Sequence, residues 1–488
     1  MGPLYFAFVI LAYFILSTHA DVDYKMIGSN MVLQRNSDKT KLWGKVDASF
    51  KSAVLLRITH TASKKDDEYK VTASEDGNWV VKLKPYPEGG PYDITVYTSR
   101  TTTYSNVMFG DVFFCSGQSN MDFSVLNSKD GEKDKQDSIN YPNLRLIHIK
   151  PDSNEQVLDN ISDGIWQVSS PDSIGGYWTG GFSAVCYYYG RELYQHFNGT
   201  VPIGLIESAW GGTRVEAWVS EQGINACRKK ASVRTGSKSH NQNSRLYNAM
   251  VAPVFNYNIL GVLWYQGENN AGDTPFMADF ECYLGNLVSS WRRGWGIEYL
   301  PFMIVQLANW KSGTNWPVIR AAQERVASSK NVVLATCVDI GDPKEVHPAD
   351  KKPLSHRLFL NALKVVYNYK DIVTSGASLT NITADASGKV EKITLTFNTK
   401  HSLKVRGTSG CTSCCNNANF NAFQVLTDQK RFAWDAETVI KNNQVIIQTP
   451  IGDEEFVIQV RYAWYESPEC MLYDGDELFP VLPFSVDI

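Results

Sequence analysis

The feature that most constrains the fold is a repeat of unlike elements through the middle of the chain, where continuous apolar runs of strand length alternate with amphipathic stretches of helix length. The runs are Asp111 to Cys115, Ile203 to Glu207, Gly261 to Tyr265, Phe302 to Gln306 and Val332 to Val338. The helical stretches are Ser183 to Phe197, Met277 to Arg293, Ile319 to Ser328 and Leu354 to Tyr369. A strand that is apolar on both faces needs cover on both faces, and strand, helix, strand in repeated order supplies it over a mostly parallel sheet. The middle of the chain is therefore expected to be a three-layer α/β/α unit.

On either side of it the pattern changes. Short alternating segments, Ala53 to Ile58, Trp79 to Leu83 and Tyr92 to Tyr97, are separated by Gly, Pro, Asp and Asn clusters, as in a small β-sandwich. Short strands return at Ile393 to Phe397, Val445 to Gln448 and Phe456 to Val460. A chain of 488 residues is too long for one core. The expected division is a leader over 1–20, a β-sandwich domain over 21–109, an α/β domain over 110–370 and a C-terminal β domain over 371–488.

The leader expectation rests on the apolar run Leu4 to Leu16 followed by Ser17-Thr-His-Ala20, the small residues that precede a cleavage site. The run falls short of the ~20 residues of a spanning helix, so no stable membrane span is expected in the mature chain. A secretory route suits the sequons at Asn160, Asn198 and Asn381, and it makes disulfides the expected use of nine cysteines, with at least one left over. Cys411, Cys414, Cys415 and Cys470 are the first candidates for bridges. No histidine or second Cys-x-x-Cys completes a zinc set beside Cys411-x-x-Cys414-Cys415, so no metal and no cofactor are expected. With 43% hydrophobic and 20% charged residues, a net charge of -4 and no long basic run, the chain reads as globular, with a small or neutral partner rather than nucleic acid.

Four middle runs end in polar turns. The first leads into Gly117-Gln-Ser-Asn120, the second into Ala209-Trp-Gly-Gly-Thr-Arg214, the third into Gln266-Gly-Glu-Asn269, and the last into Asp339-Ile-Gly-Asp342 and Glu345-Val-His-Pro348. In an open parallel sheet these ends share one edge, where ligands bind. A serine on a tight glycine turn after a buried strand is a candidate nucleophile, and Ser119 fills that place. Of eight histidines, His347 is the one in a turn just past the last strand, placed for a base.

The blocks Gly-Gln-Ser-Asn-Met, Ser-Ala-Trp-Gly-Gly-Thr, Trp-Tyr-Gln-Gly-Glu and Val-His-Pro, in that order, resemble the sialate O-acetylesterase family of the SGNH hydrolase superfamily. Asn30-Met-Val-Leu-Gln34 and Arg461-Tyr-Ala-Trp464 extend the resemblance over nearly the whole mature chain. It implies an SGNH-type sheet, hydrolysis of O-acetyl esters on sialic acids, free or on glycoconjugates, and a secreted or lysosomal place of work. Ester hydrolysis needs a nucleophile, a base and donors for the oxyanion. The resemblance makes Ser119 the nucleophile and His347 the base. The backbone N–H of Ser119 and that of Gly211 or Gly212, together with a side-chain amide, make the oxyanion set, with Gln266 preferred over Asn269 as the amide. The superfamily's Asp, three residues before the histidine, is replaced here by Lys344. The acid is then Glu345, with Asp342 the alternative, or a backbone carbonyl orients the imidazole in a Ser-His dyad. A sialic acid carboxylate suits a guanidinium, so Arg214 and Arg245 are candidate substrate ligands, and Trp210, Trp218 and Trp264 candidate walls for a sugar. Two rivals stand beside this reading: an acetyl esterase for other carbohydrates such as xylan, and a glycan-binding protein whose middle domain is catalytically weak.

Overall fold

The computed structural model describes residues 24–488 apart from 48, 51, 177–179, 228–238, 273–276, 312, 388–389, 409–414, 416–419, 421, 430–431, 434–436, 451–454 and 476–477. The expected leader, Cys411 and Cys414 lie outside the described residues.

The central sheet runs in the order Val332–Thr336, Phe302–Gln306, Gly261–Tyr265, Thr101–Gly117, Ile203–Ala209, Leu144–His148, all parallel, and closes with Gln167–Val168 antiparallel at one edge. All five expected strands are in it. Leu144–His148 is an addition: Arg145 and His148 interrupt its apolar pattern, yet the strand is buried throughout. The Arg145 guanidinium is accommodated by donating to the carbonyl of Pro142, at 2.9 Å.

Four helices match the expected stretches with small shifts: Ala184–His196, Phe280–Trp295, Trp316–Ala327 and Lys352–Val365. Ala184–His196 starts where it does because Ser183 Oγ accepts the Cys186 N–H at 3.2 Å, satisfying an N-terminal donor that has no helical partner. It packs against Lys352–Val365, while Phe280–Trp295 packs against Trp316–Ala327 and Glu221–Cys227. Disulfides fasten these layers: Cys115–Cys186 ties a helix to the central strand, and Cys227–Cys282 ties two helices together. Cys415–Cys470 is a third, and Cys337 is a buried free thiol.

The strand Thr101–Gly117 joins two sheets. Its first half alternates exposed and half-buried residues, and from Val107 onward every residue is buried. The first half pairs with Gly89–Tyr97 in the N-terminal sheet, the second with the central strands. At the passage between them Asp111 is gripped by Arg35 through two bonds of 2.9 Å and by the Tyr367 hydroxyl at 2.9 Å. The boundary expected at 109/110 therefore falls inside one strand, and a single apolar core runs from Met26 to Leu363.

The C-terminal strands form two four-stranded antiparallel sheets and the pair Leu403–Gly407 with Cys470–Asp474, around a second core that includes Ile393, Phe397, Val445, Val460 and Tyr462. Val338, from the loop leading to His347, packs into that second core. No described helix is long and apolar enough to cross a membrane.

Candidate active site

Gly117 ends the central strand at φ +147°, a conformation side chains rarely adopt, and a Cβ there would lie 2.0 Å from the Tyr265 carbonyl oxygen. Only glycine lets the chain turn this closely against the neighbouring strand. The turn places Ser119 as the first residue of the one-turn helix Ser119–Asp122, so its N–H has no carbonyl four residues back to bond. Ser119 is partly exposed at the carboxyl edge of the sheet.

His347 comes to the same point from the loop after Val332–Thr336. Its Nε2 lies 2.8 Å from Ser119 Oγ, and the Phe123 ring stacks beside it at 6.2 Å and 23°. With Nε2 accepting from the serine hydroxyl, the proton of the neutral imidazole sits on Nδ1. Partial burial, and secondly the charge of Lys351, hold the imidazole below its ordinary pKa of 6.5.

Glu345 Oε1 lies 3.5 Å from His347 Nδ1 and accepts the His347 backbone N–H at 3.0 Å. That carboxylate is 56% exposed. Asp342 is spent on the turn itself, accepting the Lys344 N–H at 2.8 Å through its side chain and the Glu345 N–H at 3.3 Å through its carbonyl. Of the two carboxylates, only Glu345 is brought to the imidazole.

Three expectations need correction. Gln266 is fully buried, and its two amide hydrogens are spread over Asn270 Oδ1 at 2.7 Å, the Thr213 carbonyl at 3.2 Å and Gln118 at 3.2 Å. A group with no surface and no spare hydrogen cannot serve an oxyanion; it braces the loops instead. Asn269 is partly exposed and its Nδ2 donates one bond of 2.6 Å to the Gly212 carbonyl, which leaves the second hydrogen of that amide for another acceptor. The order of preference between the two is reversed.

The second correction concerns Arg245, whose guanidinium donates to Glu155 Oε1 at 2.5 Å and to Gln242 Oε1 at 2.8 Å, bracing the segment around 154–158. Arg214 stays on the glycine loop, its N–H held by Asn241 Oδ1 at 2.8 Å. Trp218 and Trp264 are fully buried and pack edge to face at 5.9 Å, so neither can meet a sugar. Trp210 is partly exposed and stacks on His240 at 4.6 Å and 18°.

The loop Gly211-Gly212 completes the site. A Cβ on Gly211 would sit 3.4 Å from Ser119 Cβ, so the backbone there passes directly beside the nucleophile. Gly212, at φ +70°, has its carbonyl held by both Asn241 and Asn269.

Among the described residues, Asp122, His148 and Glu207 gather potential metal-ligand atoms within 4.8 Å of one another. Burial, with the charge of Asp122 second, lifts the Glu207 carboxyl well above its usual range, and burial pushes His148 down to about 4.

Comparison with known proteins then decides the family. A family profile described as carbohydrate esterase, sialic acid-specific acetylesterase, matches residues 109–354, and one described as sialate O-acetylesterase C-terminal domain matches 381–488. The chain belongs to the sialic acid-specific acetylesterase family. Relatives within it include sialate O-acetylesterases of Mus musculus, 28% identical over 100% of this chain and 98% of that protein, and of Homo sapiens, 29% identical over 94% and 91%. A carbohydrate acetylesterase from Xanthomonas citri shares the fold with a TM-score of 0.80 at 28% identity, covering 96% of this chain and 100% of its own. Family membership makes this chain a sialate O-acetylesterase by function, a carboxylic ester hydrolase.

Proposed function

We propose that this acetylesterase works through an acyl-enzyme on Ser119, with His347 as the base. The 2.8 Å contact between Ser119 Oγ and His347 Nε2 carries the reading. Ser119 Oγ attacks the acetyl carbonyl carbon and its proton passes to Nε2. The tetrahedral intermediate collapses by expelling the sugar oxygen, which takes that proton and leaves as a hydroxyl. Water then gives a proton to Nε2, attacks the acetyl-serine, and acetate departs as the proton returns to Ser119. The oxyanion is held by the N–H of Ser119, an N–H of Gly211-Gly212 and the Asn269 amide.

The arrangement is close to a dyad. Glu345 is too exposed and too far from Nδ1 for a strong charge-assisted bond, so its main work is to fix the loop through the His347 N–H. Glu345→Gln is expected to lower kcat by about tenfold or less, far from the ~10⁴-fold loss when a buried triad acid is neutralised. Steady-state kinetics on an aryl acetate measures it, and a loss of thousandfold would make Glu345 a full triad member.

Arg214 is assigned to the sialic acid carboxylate and Trp210 to one wall of the sugar. The disulfides and the absence of a described membrane helix suit a secreted or lysosomal protein. Asn198 and Asn381 are exposed and accessible to a glycan, whereas Asn160 accepts the Lys25 N–H at 3.1 Å. The discriminating experiment sets O-acetylated sialic acids beside acetylated xylan. Acetate release from the sialic acids should exceed that from xylan at least tenfold; equal or reversed rates would favour the wider carbohydrate esterase, and no release from either a binding protein.

A further inference from the structure

Lys351 is 2% exposed, next to the reacting pair, and belongs to no part of the chemistry above. Its Nζ donates to Asn120 Oδ1 at 2.5 Å. Asn120, itself 1% exposed, directs its amide both to Glu268 Oε1 at 2.6 Å and to the Val346 carbonyl at 2.9 Å. The side chain following the nucleophile is thus bonded to the backbone preceding the base. The same ammonium lies 4.7 Å from the Phe123 ring centre and 5.6 Å from that of Tyr265, and Phe123 is the ring stacked beside His347.

We propose that Lys351 is a positioning residue for the esterase reaction: through Asn120 its ammonium locks the Ser119 turn to the His347 loop, and it stands as a fixed positive charge beside the reacting pair. Several titratable groups face these two side chains. Burial lowers Lys351 to about 8, so it is charged throughout the acid range. Burial pushes the Cys337 thiol up to about 12, where it carries no charge to cancel the ammonium. Glu268 is raised by burial and opposed by its bond to Asn120 and by Lys351, so Lys351 and Glu268 form a buried pair bridged by Asn120. Glu345 faces His347 from the solvent side, and Ser119 and Phe123 are uncharged. A positive charge near an imidazole disfavours the imidazolium. The acid limb of kcat/KM, which reports the free enzyme's base, therefore lies below the ordinary histidine value.

The test is the pH profile of Lys351→Met on an aryl acetate. The acid limb should move up by about half to one pH unit, with kcat reduced at its plateau and KM nearly unchanged. A uniform loss of rate with the limb in place would show a merely structural lysine and overturn the proposal. Should Lys351→Met not fold, Glu268→Gln removes the countercharge at nearly constant volume; the limb should then stay or fall, and a rise would overturn the proposal. The inference rests on the Ser119–His347 reading, and the two fail separately: an active Ser119→Ala enzyme removes that reading, whereas an inactive one beside an unmoved Lys351→Met limb removes this inference alone.

Discussion

Ser119→Ala is expected to lower kcat on a simple aryl acetate by at least about a thousandfold while the folded state is unchanged. The structural reason for the second half is that Ser119 is partly exposed and its hydroxyl contacts only the His347 ring among the described residues. Removing one oxygen takes a single hydrogen bond from an imidazole that is 34% exposed and open to water, so the stability change stays within the range of a surface substitution. The turn persists because Gly117 and the Asn120 bonds to Glu268 and Val346 hold it, and none of them involves the hydroxyl. The residue left in place of the nucleophile should still admit substrate, because the Gly211-Gly212 loop and Asn269 are untouched. Kinetics and a thermal melt on the same preparation measure both halves. Turnover within tenfold of the wild type would remove Ser119 from the mechanism, and with it the role given to His347.

What could be read from the sequence, and what could not, follows from burial. The four polar turns were visible because each interrupts a continuous apolar run, and a parallel sheet brings such ends together. That placement makes Ser119 and His347 candidates, and the family resemblance gives them their roles. Gln266 and Asn269 look alike in sequence, both amides just past Tyr265, but the first points into the closed layer against Asn270 and the second toward the open edge. A one-dimensional pattern does not say which. Arg245 and Arg214 differ in the same way, since only three-dimensional proximity reveals Glu155 beside the former. Leu144–His148 is not among the expected strands: Arg145 and His148 break its apolar run, and polar residues buried in this way are rare. Lys351, in the run Asp350-Lys-Lys-Pro353, reads as surface; its partners Asn120 and Glu268 lie 231 and 83 residues away in sequence. The boundary at 109/110 is a real change in burial pattern, yet the backbone crosses it without leaving the strand.

Arg357→Met carries the largest expected effect on stability. Arg357 and Asp339 are each about 2% exposed and meet through two bonds of 2.7 Å, in the side-by-side geometry that suits a guanidinium and a carboxylate. Tyr473 donates to the same carboxylate at 2.7 Å, and Arg357 also donates to the carbonyls of Thr336 and Leu478. The pair thus fastens three pieces: the last strand of the central sheet, the helix Lys352–Val365 and the C-terminal strand Cys470–Asp474. The loop carrying His347 is strung between the first two, 337–351. Methionine fills much of the volume but strips the buried Asp339 carboxylate of both guanidinium bonds, and breaking a buried pair in this way costs about 3–5 kcal/mol. Urea unfolding should show the midpoint of Arg357→Met falling accordingly. Adding Asp339→Leu should recover part of the loss, because the apolar pair removes the uncompensated charge. Activity offers an independent reading: with the loop less firmly anchored at both ends, kcat of the folded single variant should fall more than KM changes. A midpoint equal to that of the wild type would mean that the C-terminal β sheets and the esterase sheet hold together without this pair, and the anchoring of His347 would then rest on the other bonds of its loop, those of Asn120 to Val346 and of Glu345 to the His347 N–H among them.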